Sequence, residues 1–226
     1  MNPSSPVIKR HTVTASVLEM IRNRIVEGLY AGGQQIRQEA IAEEFGVSRI
    51  PIREALVQLE AEGFVQIHTH KGAIVAQLTV EDAIDIFEAR LILEPSILRQ
   101  AVTKATPEDI SRVQKALQGY ERGVANDASP AQLSQLNWAF HNALSSPSGR
   151  WRSLAVLSSL YRSADRYLRL QIDNTEARQS ALEDHRAIAA AFVQHDAALA
   201  QRLLARHISA ARDDVTKSLN ILNKGP

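Results

Sequence analysis

Apolar residues recur at three- and four-residue intervals along most of this 226-residue chain, the pattern of helices that bury one face. Val17, Met20, Ile21 and Ile25 set the first stripe, which predicts a helix from about Thr12 to a stop at Gly28. After the turn YAGGQQ, the segment RQEAIAEEFG places Ile41, Ala42 and Phe45 on one side and ends at Gly46, a short second helix. A third helix follows at once. Ser48 is placed to cap it with its hydroxyl, Pro51 sits in the first turn where a missing N–H costs little, and Gly63 closes it. Its stripe is Ile52, Ala55, Leu56 and Leu59. The period then changes, because FVQI and AIVAQL are β-favouring runs joined by HTHKG, a hairpin with a basic tip.

From Leu78 onward the pattern is helical throughout. Thr79 with Asp82, Thr106 with Pro107 and Asp109, and Ser129 with Pro130 are helix-start signals, and the run SSPSG at 145–149 is a break. Three long segments follow, at about 150–174, 176–194 and 196–222, while Pro95 predicts a kink or a split in an otherwise helical run. The predicted fold is mainly α. A flexible Pro/Ser-rich tail at 1–11 leads into a winged helix-turn-helix at 12–77, and residues 78–226 form an antiparallel bundle of about six or seven helices.

Composition narrows the chemistry. With 45% hydrophobic and 23% charged residues the chain has the balance of a globular protein, and without cysteine it has no disulfide, thiolate metal site or cysteine nucleophile. Neither an export signal nor a run of 18 apolar residues is present, so a cytoplasmic protein without membrane contact is expected. Net charge is only +1, and in residues 1–77 eight basic residues meet eight glutamates, so contact with a polyanion would rest on a local patch.

Such a patch is offered by Arg49 and Arg53, which lie round from the buried stripe near the start of the third helix. In a winged helix-turn-helix that helix enters the major groove with its first residues on base edges, and the hairpin, here with Lys71, reaches toward the backbone or minor groove. A guanidinium fork can bond bidentately to guanine O6 and N7 or to phosphate. An isolated arginine pair at this spacing is usually a solvated helix face, but the order of elements here favours double-stranded DNA as the partner.

In the second half, polar residues intrude on apolar stripes. Asn137 and His141 share a face with Leu133, Phe140 and Leu144; His185 falls with Leu182, Ala189 and Phe192; His207 falls with Ala200, Leu204 and Ala211. A single histidine so placed is usually a hydrogen-bonded core residue. Three directed at one interior would be costly to bury unpaired, whereas neutral imidazoles can hold Zn²⁺ or Ni²⁺, and Asn137 can add a carbonyl oxygen. His11, His68, His70 and His195 fall in the tail, the wing and a helix junction, outside this group.

At these residues the chain resembles a known family. EGLYAGGQQIRQEAIAEEFGVSRIPIREALVQLEAEGFV is similar to the N-terminal domain of GntR-family bacterial transcriptional regulators over about residues 12–76, and VSRIPIREAL fits the family's recognition-helix pattern. The resemblance implies DNA contacts from Arg49 and Arg53, Ser48 and the wing glycine Gly72 near the DNA, and Arg37 on phosphate. Gln38 stands where many relatives carry Glu. The C-terminal half resembles the helical ligand-binding domain of the FadR-type branch, often called FCD, in which an Asp four residues before a His and two later histidines commonly bind a divalent metal. Carried over by position, those ligands are Asn137, His141, His185 and His207, with Asn replacing Asp. A neutral amide offsets none of the metal's charge, so weaker metal binding and stronger attraction to an anionic effector are expected. The family also places an arginine near the effector pocket, here Arg90, which could pair with the carboxylate of a small organic acid; the plain alternative is a salt bridge to Glu94 one turn on.

The combined expectation is a DNA-binding regulator, a dimeric repressor by resemblance and by the two-fold logic of operators, with a divalent metal and a small organic-acid effector in the bundle. Two rivals remain at the level of sequence: a metal-dependent hydrolase with Glu183 or Asp184 as base, although both should project away from the face of His185, and a dedicated metal sensor.

Overall fold

Residues 13–69, 71–172 and 174–223 are described by the computed structural model, so the expected tail at 1–11 and the wing residue His70 lie outside the described residues. Contacts divide the chain into two units, Met1–Gln77 and Leu78–Pro226.

In the first unit, α1 (Val13–Val26) buries Val17, Leu18, Ile21 and Ile25. Met20, expected on this stripe, is 44% exposed. The reason is angular: at about 100° per residue, Val17, Leu18, Ile21 and Ile25 span an arc of about 100°, whereas Met20 would widen it to about 160°. α2 (Gln38–Glu44) and α3 (Arg49–Ala61) complete the helix-turn-helix, and α3 buries Ile52, Ala55, Leu56 and Leu59. Ser48 occupies the N-cap of α3 with extended backbone, but its hydroxyl makes no capping bond. The third helical residue is Pro51, which has no N–H to donate to it.

The wing is an antiparallel hairpin of β2 (Val65–His68) and β3 (Gly72–Val75), in register from Val65 opposite Val75 to His68 opposite Gly72. Gly72 has φ +75°, a left-handed backbone that a side chain would strain. A two-residue strand β1 (Gln35–Ile36) pairs with β3, giving the order β1-β3-β2. Sequence periodicity did not predict β1, because two residues carry no period.

The second unit contains, among the described residues, α4 (Val80–Lys104), α5 (Pro107–Ala125), α6 (Pro130–Ser145), α7 (Trp151–Ile172), α8 (Thr175–Val193) and α9 (Ala197–Asn223), with a short 3₁₀ turn at Ser146–Ser148. The start signals act as expected. Thr79 Oγ1 accepts from the Asp82 N–H at 3.1 Å, and capping boxes join Thr106 to Asp109 and Ser129 to Gln132. Pro95, expected to kink or split its segment, lies buried inside an α4 that is continuous from Val80 to Lys104. Ala83, Ile86 and Phe87 before it and Ile97, Leu98, Ala101 and Val102 after it are all buried in one core, so the packing of both halves outweighs the lost hydrogen bond. α4 lies against α9, α7 and α6, which makes it the helix from which the interior of the bundle is built.

Truncating the core of the helix-turn-helix should be expensive. Leu56→Ala, at a fully buried position of α3, is expected to cost about 2–5 kcal/mol, read as a lowered urea midpoint for the unfolding of this unit; a change within error would mean that α3 is not held by this core.

Candidate functional site

In the first unit the acids explain how a module of balanced charge can present a basic surface. Arg22 binds Glu62 at 2.6 Å and also Glu19, and Arg24 pairs with Glu44 while donating to the Tyr30 hydroxyl at 3.0 Å. Those pairs absorb glutamates away from the first turn of α3. There, Arg49 and Arg53 are exposed, as are Ser48, Arg37 at the N-cap of α2 and Lys71 beside Gly72 at the wing tip. Arg49 meets Glu39 at 2.9 Å, but both side chains are largely in water, where such a pair is weak and readily exchanged. Ile50, which sequence reasoning passed over, is 69% exposed in the same turn. Its helical period would have shown that it lies off the buried stripe.

In the second unit, α6, α8 and α9 bring His141, His185 and His207 together. All three are buried, their ring centroids are 5.2, 5.4 and 4.8 Å apart, and one nitrogen from each lies within 4.8 Å of the others. A cavity of about 10 Å³, the scale of one small ion or water, is lined by Asn137, His141, His207, Arg90, Tyr120 and Arg178. His141 Nε2 and both nitrogens of His185 are buried without a hydrogen-bond partner. Orphaned imidazole nitrogens are costly in a core and are the donors a divalent metal takes, so this chain's residues fit such an ion.

Around the histidines stands a set of partners that sequence reasoning only half found. Glu94 is fully buried; its Oε1 lies 2.9 Å from His141 Nδ1 and accepts from the Tyr161 hydroxyl at 2.7 Å, and its Oε2 accepts from Arg90 Nε at 3.3 Å. Arg90 Nη2 donates to the Tyr161 oxygen at 2.8 Å, while Arg90 Nη1 is buried without a partner. The salt bridge to Glu94 is therefore formed, and one guanidinium nitrogen still has a donor to spare. On the far side, His207 Nδ1 lies 3.3 Å from Asp184 Oδ2, and Arg206 donates to Asp184 Oδ1 at 2.7 Å. Asp184 thus reaches a histidine on the neighbouring helix, a contact missed by the expectation that it projects away.

Burial alone would raise the Glu94 carboxyl, but Arg90, followed by His141 and Tyr161, outweighs it and holds the group down at about 2. Desolvation pushes His141 down to about 4 even against Glu94, and it pushes His185 well below its ordinary value. An ionised Glu94 can only accept, so the neutral His141 carries its proton on Nδ1 and leaves the Nε2 lone pair toward the other histidines.

A winged helix-turn-helix joined to an all-helical unit with a polar, histidine-lined cavity defines a transcriptional regulator, and comparison with known proteins agrees. Residues 13–75 match the model of bacterial regulatory proteins of the gntR family, and residues 85–210 match the FCD domain. The chain belongs to the GntR family and carries an FCD domain. It is 28% identical over 195 residues to the HTH-type transcriptional repressor GlaR of Escherichia coli (strain K12), covering 83% of this chain and 89% of that one. The match to the uncharacterized HTH-type transcriptional regulator YdhC of Bacillus subtilis (strain 168) is 30% identical and spans only 55% of either protein. A solved GntR-family transcriptional regulator from Pseudomonas syringae pv. tomato has 28% identity and a TM-score of 0.56, covering 99% of this chain and 92% of that one. These families and relatives are regulators, which sets aside the hydrolase reading; Asp184 contacts His207 and Glu183 is exposed. No helix among the described residues is long and apolar enough to cross a membrane.

A dependence on pH follows from the buried imidazoles. The folded values of His141 and His185 lie below the 6.5 of an unperturbed histidine, so the folded state binds fewer protons there; the stability these two groups contribute is fully present above about pH 6.5 and is lost as pH falls toward 4. Thermal unfolding of chelator-treated protein should show Tm falling over that window, with a shallower fall in His185→Leu. An identical slope in the variant would mean that His185 does not charge on unfolding.

Proposed function

We propose that the chain is a dimeric repressor whose residues 12–77 read double-stranded operator DNA and whose residues 78–226 bind a divalent metal, zinc or nickel, and a small organic acid. The observation that carries this reading is the meeting of three buried imidazoles with unpartnered nitrogens beside the spare donor of Arg90. His141, His185 and His207 would hold the ion, with Asn137 on the same cavity as an oxygen donor, and Arg90 Nη1 would take an oxygen of the effector carboxylate. The bound ion supplies positive charge and a Lewis-acidic position for that carboxylate. Three imidazoles and an amide form a nitrogen-rich set that suits zinc or nickel better than magnesium or calcium. The repressor sense draws on GlaR, named as a repressor, and the dimer on the two-fold symmetry of most operators.

In the first unit, Arg49 and Arg53 would read base edges or phosphates, with Arg37, Ser48, Lys71 and the backbone at Gly72 on the DNA backbone. Ser48 suits such a contact, because its hydroxyl is exposed and not used in capping. One observation favours a dedicated metal sensor as the second reading: the cavity, at about 10 Å³, admits an ion but no organic acid unless its walls move.

Elemental analysis of tag-free protein purified without added metal or chelator should find about one zinc or nickel per chain, lost in His141→Ala. No metal even after reconstitution would return the histidines to the core. On the DNA side, Arg49→Ala and Arg53→Ala should each weaken salt-sensitive binding to the DNA upstream of the protein's own gene by about 1–3 kcal/mol. Equal loss on every sequence would make that arginine a phosphate contact, and undiminished binding would remove it from the interface.

A further inference from the structure

The three histidines differ in what stands behind them. His141 Nδ1 faces Glu94 at 2.9 Å, His207 Nδ1 faces Asp184 at 3.3 Å, and His185 has a hydrogen-bond partner on neither nitrogen. Packing alone sets the last ring, through Tyr120 at 4.7 Å and Phe140 at 4.5 Å between centroids. The support behind His141 is itself braced, because Glu94 is fixed by Arg90 from its own helix and by Tyr161 from α7. A fully buried Arg–Glu–Tyr–His cluster is seldom the most stable way to join helices, since apolar side chains of similar volume often do as well or better. Its value lies in orientation: an ionised carboxylate fixes the tautomer of an imidazole and raises the basicity of its other nitrogen.

We infer that Glu94 and Asp184 are positioning residues for the metal site, each holding one histidine with its donor nitrogen toward the ion, and that His185 joins without such support. This rests on the proposed metal reading. Arg90 then has two tasks, fixing Glu94 through Nε and offering Nη1 to an anion, so the order of the metal ligands and the placing of the effector depend on one guanidinium.

The test compares the full-length wild type with Glu94→Gln and Asp184→Asn, using Zn²⁺ in competition with a chromophoric chelator and the visible absorption of the Co²⁺-loaded proteins. Nitrogen-detected NMR of the histidines in metal-free protein supplies a readout that simple loss of stability would not move. Wild type should show His141 and His207 protonated on Nδ1. Each variant should lose that preference at its own histidine, weaken Zn²⁺ by about 10–100-fold and shift the Co²⁺ bands. Glu94→Gln leaves Arg90 buried without its counter-ion; if it fails to fold, Asp184→Asn, at a partly exposed carboxylate, decides the question alone. Zn²⁺ binding within about twofold of wild type, or weakened binding with tautomers and Co²⁺ bands unchanged, would overturn the inference while leaving the metal reading intact. A wild type that binds neither Zn²⁺ nor Co²⁺ would overturn both.

Discussion

An ionised carboxylate with no exposure to water is the constraint around which the second unit is arranged. Glu94 cannot stay charged in an apolar core without donors on several sides, and it has three: the Arg90 guanidinium, the Tyr161 hydroxyl and His141 Nδ1–H. They come from α4, α7 and α6, so one side chain dictates where three helices meet. The requirement also fixes chemistry beyond packing. Because Glu94 only accepts, the tautomer of His141 is determined, and with it the direction of the free lone pair. The same carboxylate tethers Arg90 by Nε, which leaves Nη1 as a buried cationic donor without a partner on a residue that lines the cavity.

Much of this architecture was legible in the sequence, and the exceptions share a cause. Stripes and caps are local, so α3, the capping box at Thr106 and the inward faces of α6, α8 and α9 followed from spacing alone. Met20 and Ser48 depart from expectation, and at Pro95 the helix is not split, where a second local fact or the tertiary packing decided. The arc of α1 had room for Leu18, Pro51 has no N–H for the Ser48 hydroxyl, and burial on both sides of Pro95 keeps α4 continuous. The three clustered histidines could be seen because each interrupts an apolar face. Their partners could not, because a contact such as Glu94 with His141 joins residues 47 positions apart. A signal for Glu94 was nevertheless present: Ala83, Phe87, Arg90, Glu94, Ile97 and Leu98 lie on a single stripe, so the Arg–Glu pair had to be buried. Forming the salt bridge does not exclude a pocket role for Arg90, since Nε binds Glu94 while Nη1 is left without a partner.

The first unit shows how position can matter more than net charge. Eight basic residues and eight glutamates over 1–77 would give a field too weak to favour a polyanion if they were mixed evenly. They are not. Arg22 and Arg24 consume Glu62, Glu19 and Glu44, whereas the arginines of the α3 entrance face water, one of them with only an exposed and exchangeable partner in Glu39. A weak general field with a few well-placed forks favours recognition at a defined geometry over indiscriminate adhesion, which suits a protein that must leave most DNA unoccupied.

The size of the cavity sets a condition on any regulation through it. At about 10 Å³ it has room for an ion, and an organic acid can enter only if the walls give way, among them Leu168, Ile172, Ala177 and Ala181 of α7 and α8. A ligand that needs such a change binds the widened bundle better than the closed one, and that difference in affinity is the free energy available to bias a conformational equilibrium. A metal ion alone needs only movement of rings whose donor nitrogens already lie within 4.8 Å of one another, so it would tighten the closed form. On the proposed reading the two ligands act on different motions: the metal draws α6, α8 and α9 onto one point, and the acid, gripped by Arg90 and the ion, pushes against the α7–α8 side of the same cavity. On that reading the acid would bind best once the metal is in place, because the ion supplies part of the positive charge that holds it.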